Sequence, residues 1–371
     1  MISIRPSRIE LIELICGLIR EPSLLLQLGD TECDMALRLA RRAKLLGYLG
    51  ARLFDQPGYA KLPFAARDQL ESALAVAHAR ARIARWEMNR IARALSDIDV
   101  PLVALKGCAY LLKDLPNVPG RNFADVDLLV PEQDLARVES ALVQRGWRGA
   151  PLSAHDQKFY RLWTHEIPPL VHTDREVEVD IHFRILPRRG RLTPPAEPLL
   201  ESAQPVDGSP FKVLSDVDMV LHAMAHLMVS DDLADSLRDL VDVHLLFGFF
   251  ARADATFWKR FCDRAGALGL VHPAWYSLRY CQGWLGTELP AAAEEALTGF
   301  RPNPAARVLM DLLVPEALFP SDPDRQALKT AMCRWLLAAR ASWIRLPPHL
   351  WIWHTGHKVT RQSGLGKWFG R

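Results

Sequence analysis

The chain has 371 residues, enough for two or three domains with a sizeable core. A hydrophobic share of 49% with a charged share of 24% fits an ordinary folded protein and excludes a disordered or fibrous class. A formal net charge of +3 is too weak to argue by itself for a nucleic-acid partner.

Residues 1–97 read as an N-terminal helical region. Ile9, Leu11, Ile12, Ile15, Leu18 and Ile19 recur at helical spacing, and the stretches 33–54 and 66–95 are rich in Ala, Leu and Arg. Asp97 to Pro101 breaks that pattern. Residues 98–186 change character and read as a catalytic core. Pro101 to Leu105 is predicted as a buried strand, Gly107 to Leu115 as a helix, and Pro116 to Gly120 as a turn cluster. Asp125 to Val130 alternates as a strand does. Pro131 to Gly146 is predicted as an amphipathic helix closed by its glycine. Further strands are predicted around Trp147, over 163–172 and over 176–185. Residues 187–210, rich in Pro and Arg, read as a linker. Residues 211–345 read as a C-terminal helical domain that opens at Ser215, with two helices around an Asp231-Asp232 break. The class predicted is α+β: a small mixed sheet between two helical regions.

The chemistry gathers in the core. In a strand over 125–130, Asp125 and Asp127 point to one side while Val126, Leu128 and Val130 point to the other. Two adjacent carboxylates on a rigid strand repel unless a cation lies between them, and such oxygens suit Mg²⁺, or Mn²⁺ in its place, together with substrate phosphates. Glu178, Asp180 and His182 share one face of a second alternating strand, and Asp180 is the candidate third carboxylate of a two-metal site. Lys106-Gly107 falls where the first strand meets a helix. There a glycine permits close backbone approach to a phosphate, and the lysine adds a point charge. Arg121, four residues before Asp125, is a further candidate phosphate contact.

The order Leu105-Lys-Gly, then Arg121-x-x-x-Asp125-x-Asp127-Leu-Leu-Val, then Val179-Asp-Ile-His182 resembles the nucleotidyltransferase superfamily with the DNA polymerase β-like fold. More narrowly, it resembles the bacterial uncharacterised nucleotidyltransferase family, some members of which occur near exopolysaccharide and exosortase-type systems. The resemblance covers about residues 20–345 and is most specific over 102–147. His222-Ala-Met-Ala-His226 and Leu237-Arg-Asp-Leu-Val-Asp242 match a His-containing helix and a later Arg-Asp…Asp segment of the family. The broad superfamily carries Gly-Ser at the strand–helix junction, where this chain has Lys106-Gly107.

The resemblance implies metal-dependent transfer of an NMP from an NTP to a hydroxyl acceptor, with release of pyrophosphate. Asp125, Asp127 and Asp180 are then the metal and catalytic residues, and Lys106, Gly107 and Arg121 the nucleotide-binding ones. Glu178, His182, His226 and Asp239 are candidate neighbours. The acceptor stays open: a small molecule, a glycan precursor, a protein or tRNA. Two other functions stay open beside it, a toxin-like transferase acting on tRNA or protein and a degenerate fold kept as a binding or membrane-surface module.

From Arg325 to the end there are nine Lys/Arg, no Asp/Glu and five tryptophans (Trp335, Trp343, Trp351, Trp353, Trp368). The tail over 346–371 thus suits peripheral contact with an anionic membrane face, or a helix docked on the core. Six scattered cysteines without a C-x-x-C pair read as reduced thiols. No apolar run reaches the roughly 18 residues that span a bilayer. Arg5, Arg8, Glu10 and Glu13 interrupt any signal-peptide core. The expected location is cytoplasmic.

Overall fold

The alternating segments Asp125–Leu129 and Glu178–His182 become strands because each offers one apolar face to the core. The computed structural model describes residues 6–230, 233, 236–322 and 328–347. Among them are β1 (Val103–Ala104), β2 (Asp125–Leu129), β3 (Trp147–Gly149), β4 (Leu170–His172), β5 (Glu178–His182), β6 (Gln204–Pro205) and β7 (Lys212–Val213). They form one mixed sheet in the order β3-β4-β5-β2-β1-β7-β6. β2 lies at its centre, parallel to β5 and antiparallel to β1. With helices before and after the sheet, the fold is α+β.

Two segments differ from the sequence expectation. Residues 154–163 form the helix Ala154–Trp163, and only Leu170–His172 of the strand predicted over 163–172 is present. The Ser153 hydroxyl accepts from the Asp156 N–H at 3.1 Å, so a helix-start signal precedes the aromatic run. The stretch read as a linker contributes the helix Glu197–Glu201 and β6. β6 pairs antiparallel with β7 at the sheet edge, where a proline costs no ladder bond on its open side.

The helix Phe64–Ala94 buries Ala66, Leu70, Ala77, Ala84, Met88 and Ile91 along one stripe. Its buried Glu87 is held by Arg175 at 2.7 Å and by the Trp147 indole N–H at 3.1 Å, which ties the helix to the β3 edge. The helix Asp216–Val229 starts at Ser215, whose hydroxyl accepts from the Asp218 N–H at 3.2 Å. It is buried on nearly every side and therefore packs centrally. One apolar core runs from Leu11 through the sheet to Leu337. Gly120 has φ 75°, and a Cβ there would lie 1.9 Å from the Gly47 carbonyl oxygen. That approach pins the loop before β2 against the helix Leu46–Leu53. No described helix is long and apolar enough to cross a membrane.

Candidate active site

β2 and β5 pair in parallel, with Asp125 opposite Glu178 and Asp127 opposite Asp180. Val126, Leu128, Val179 and Ile181 are buried, and the alternation turns the acidic residues to the other face. One carboxylate oxygen from each of Asp125, Asp127 and Asp180 lies within 4.8 Å of the others.

The three carboxylates are not equivalent. Burial by itself would raise the Asp127 carboxyl, but Lys106 and His182 hold it well below the usual range. Lys106 Nζ is 2.7 Å from Asp127 Oδ1, and His182 Nε2 donates to the same oxygen at 2.9 Å. Asp180 has no such support. Burial, then the charges of Asp127 and Glu166, push its carboxyl up to about 7. Its buried Oδ1 has no hydrogen-bond partner among the described residues. Burial and Asp127 also raise the carboxyl of Asp125, at the exposed end of β2. An orphaned buried carboxylate oxygen beside two further carboxylates fits a divalent cation with oxygen ligands.

The chain turns after β1 into the helix Lys106–Leu112. Lys106 has φ 45°, a conformation that favours glycine, and from there its amine reaches Asp127. Burial works against that charge, but Asp127 more than offsets it and holds the Lys106 pKa above its ordinary value. Gly107 is needed for a protein neighbour: a Cβ there would lie 2.5 Å from Arg121 Nη1. Arg121 is nearly buried and pairs through Nε with Asp242 at 3.0 Å, not with Asp125. Asn117 donates to the other Asp242 oxygen at 2.9 Å. Lys106, Gly107 and Arg121 still line one cavity of about 310 Å³ with Asp125 and Asp127, a volume within the range of small-ligand sites.

His226 and Asp239 line the same cavity, so two residues distant in sequence from the acidic strands reach the site. Burial, then the Lys106 charge, lowers the His226 imidazole to about 4. His182 is closer than a neighbour, being bonded directly to Asp127. Glu178 is exposed and lines none of the cavities around the acidic face.

Sequence reasoning missed Lys44, Glu166 and His165, and had Arg238 only as part of the family-like segment 237–242. Lys44 and Arg238 line the cavity, and Arg238 pairs with Asp239 at 2.7 Å while donating to the Asn122 carbonyl at 3.2 Å. Glu166 and His165 stand on the far side of His182. An isolated antiparallel bridge joins Glu166 to His182, and Glu166 Oε2 is 3.4 Å from His182 Nδ1. The Ser153 cap was the available signal that a helix, and then a turn, precedes Glu166. Glu166 also lines a second cavity of about 310 Å³, with Tyr160, Trp163 and Arg345.

The family model described as "Uncharacterised nucleotidyltransferase" matches residues 29–286, well over half of the chain. The protein belongs to the uncharacterised nucleotidyltransferase family. The matched span contains β1 to β7 and the residues of the first cavity, and nucleotidyl transfer is the general chemistry of such a domain. The helices after Gly286 lie beyond it. No curated protein matches the chain.

Proposed function

We propose that this protein is a metal-dependent nucleotidyltransferase that moves an NMP from an NTP to a hydroxyl acceptor. The observation that carries this is the in-register Asp127–Asp180 pair, joined by Asp125 and leaving a buried Asp180 oxygen unbonded. Asp125, Asp127 and Asp180 would hold Mg²⁺ or Mn²⁺, which when bound compensates charge on the triphosphate. Lys106 keeps Asp127 ionised and presents its charge to the first cavity. Arg238 is the phosphate contact at the cavity wall, positioned by Asp239. Arg121 acts as a buried clamp for the loop that precedes β2.

Asp180, whose carboxyl is raised in the metal-free protein, is the carboxylate we assign to take the acceptor proton, and a bound cation would lower it from there. The acceptor oxygen attacks the α-phosphorus, the bond from that phosphorus to the β-phosphate oxygen breaks, and pyrophosphate leaves. The hydroxyl proton passes to Asp180. We assign the acceptor to the second cavity, walled by Tyr160, Trp163 and Glu166, because Glu166 there stands against His182, the partner of Asp127.

The test is calorimetric titration of each NTP with and without Mg²⁺, against wild type and Asp125→Asn/Asp180→Asn. Metal-dependent binding that disappears in the double variant supports the transferase. One observation favours a binding module without turnover: Lys106 already neutralises one of the three carboxylates. NTP binding that is indifferent to Mg²⁺ and to both substitutions would select that module.

Peripheral membrane contact is a separate proposal. Val308, Leu309 and Leu312 are exposed on the helix Pro304–Leu318, and Met332 and Trp335, the latter 67% exposed, on the helix Leu328–Arg345. Trp343 is exposed on the same last helix, whereas Trp351, Trp353 and Trp368 lie outside the described residues. Salt-sensitive sedimentation with anionic liposomes, lost on truncation after Leu346, would support it. Equal sedimentation with neutral liposomes would count against it.

A further inference from the structure

We propose that His165, Glu166 and His182 form a second cation site, which takes a borderline transition-metal ion such as Co²⁺ or Zn²⁺. It lies next to the acidic triad and does not share a ligand with it. His165 Nε2 is 3.8 Å and His182 Nδ1 is 3.4 Å from the same oxygen, Glu166 Oε2. One ligand atom from each of the three residues falls within 4.8 Å of the others. Ligands at about 2.1 Å from a tetrahedral ion stand roughly 3.4 Å apart, so the observed spacings need only a small closure.

The independent observation is the state of the His182 ring, which is 1% exposed. Asp127 accepts a hydrogen bond from Nε2, so that nitrogen carries a proton. Nδ1 is buried and makes no hydrogen bond among the described residues, yet it faces the Glu166 carboxylate. Burial opposes a charge on this ring, but the hydrogen bond to Asp127 and the charge of Glu166 outweigh it and raise the His182 pKa. That favours a proton at Nδ1 in the metal-free protein, the position that a cation would take. A carboxylate that holds the distal N–H of a histidine, as Asp127 does here, is the usual support for a metal-ligating imidazole. The His165 ring is placed to complete the set, with its centroid 5.3 Å from that of His182.

The ligand chemistry points the same way. Four carboxylates (Asp125, Asp127, Asp180 and Glu166) gather here; Lys106, Arg121 and Arg238 lie toward Asp125 and Asp127, and Arg345 shares the second cavity with Glu166. Two imidazoles and one carboxylate are borderline ligands that favour transition metals, whereas the all-oxygen triad favours Mg²⁺. Glu166 lines the second cavity, so an ion has a route in from solvent.

The experiment is titration of Co²⁺, and then Zn²⁺, into the tag-free, chelator-treated full chain without nucleotide, read by visible absorption and calorimetry. Beside any weakly absorbing ion held by the acidic triad, at least one Co²⁺ per chain with the intense visible bands of an imidazole-bound, low-coordinate ion is the expected result. His165→Gln and Glu166→Gln should each weaken it at least about 10-fold, while Asp125→Asn leaves it unchanged. A folded wild type that binds neither ion, that shows only the weak spectrum of an octahedral oxygen-bound ion, or whose affinity survives both substitutions overturns the proposal. The wild-type spectrum decides even if a variant fails to fold. Because no NTP is present, this outcome is independent of whether the acidic triad supports transfer.

Discussion

Asp127 and Asp180 sit side by side on paired strands, yet they behave as different groups. Asp127 is 2% exposed but accepts from both Lys106 and His182, which hold its carboxyl low in spite of burial. Asp180 is more accessible but lacks a hydrogen bond to one buried oxygen, and it is pushed up to about 7. Partners, more than depth, decide the charge of a carboxylate. In the metal-free protein, one carboxyl is thereby held low beside one that is raised.

Several substitutions would break or sharpen that contrast. Asp127→Asn has the largest expected effect. It leaves the Lys106 ammonium without its partner, which should cost about 3 to 5 kcal/mol in urea unfolding and lower nucleotidyl transfer at least about 100-fold. An unchanged unfolding midpoint would mean that Lys106 has another counter-charge.

Arg121→Ala tests whether the other buried pair, Arg121–Asp242, is a clamp of the same kind. About 3 kcal/mol of destabilisation is expected, since Asp242 would lose its guanidinium. A stable variant with a raised KM for NTP would instead make Arg121 a phosphate contact.

Asp180→Asn should do the opposite of Asp127→Asn to the metal-free protein. At pH 8 in chelator it should match or exceed wild-type stability, by about 1 kcal/mol, although transfer is lost. The pH dependence gives the sign. A folded Asp180 keeps its proton up to about pH 7, whereas an unfolded aspartate loses it near 3.9. Between those values the folded state binds the extra proton, so this group's contribution to stability falls as pH rises from about 4 to about 7 and then levels off. Thermal melts across that window, compared between wild type and Asp180→Asn, isolate the slope. Identical slopes would show that Asp180 is ionised like Asp127.

Glu178→Gln should have the smallest effect. Glu178 faces Asp125 in register but is exposed, so stability should move by less than about 0.5 kcal/mol and transfer by less than two-fold. A large loss of transfer would extend the site along β5.

The acidic strands were legible because their signal is local. In β2 and β5 the period of two separates Asp125, Asp127 and Asp180 from Val126, Leu128, Val179 and Ile181 without reference to the rest of the fold. The roles of Gly107 and Arg121 were not legible in that way. Both depend on Asp242, 121 residues beyond Arg121, and no local pattern states that pairing. Likewise β6 escaped notice because a two-residue edge strand containing a proline has too little periodicity to stand out from a linker. The helix Ala154–Trp163 was not anticipated: no element is predicted over it before the strand from Trp163, although Ser153 supplies the capping bond that starts it.

By itself, then, the sequence determined the α+β class, the two acidic strand faces and the lysine at the first strand–helix junction. Those follow from short-range rules of side-chain alternation, turn residues and helix spacing. Only the tertiary structure decided that Asp127 and Asp180 stand in register, that Lys106 spends its charge on Asp127, and that His226, Arg238 and Asp239 close the cavity from a distant helical segment. It also decided that Glu166 and His165 meet His182. Charge state, pairing and cavity shape arise between segments far apart in the chain, and burial amplifies each of them through the loss of solvent screening.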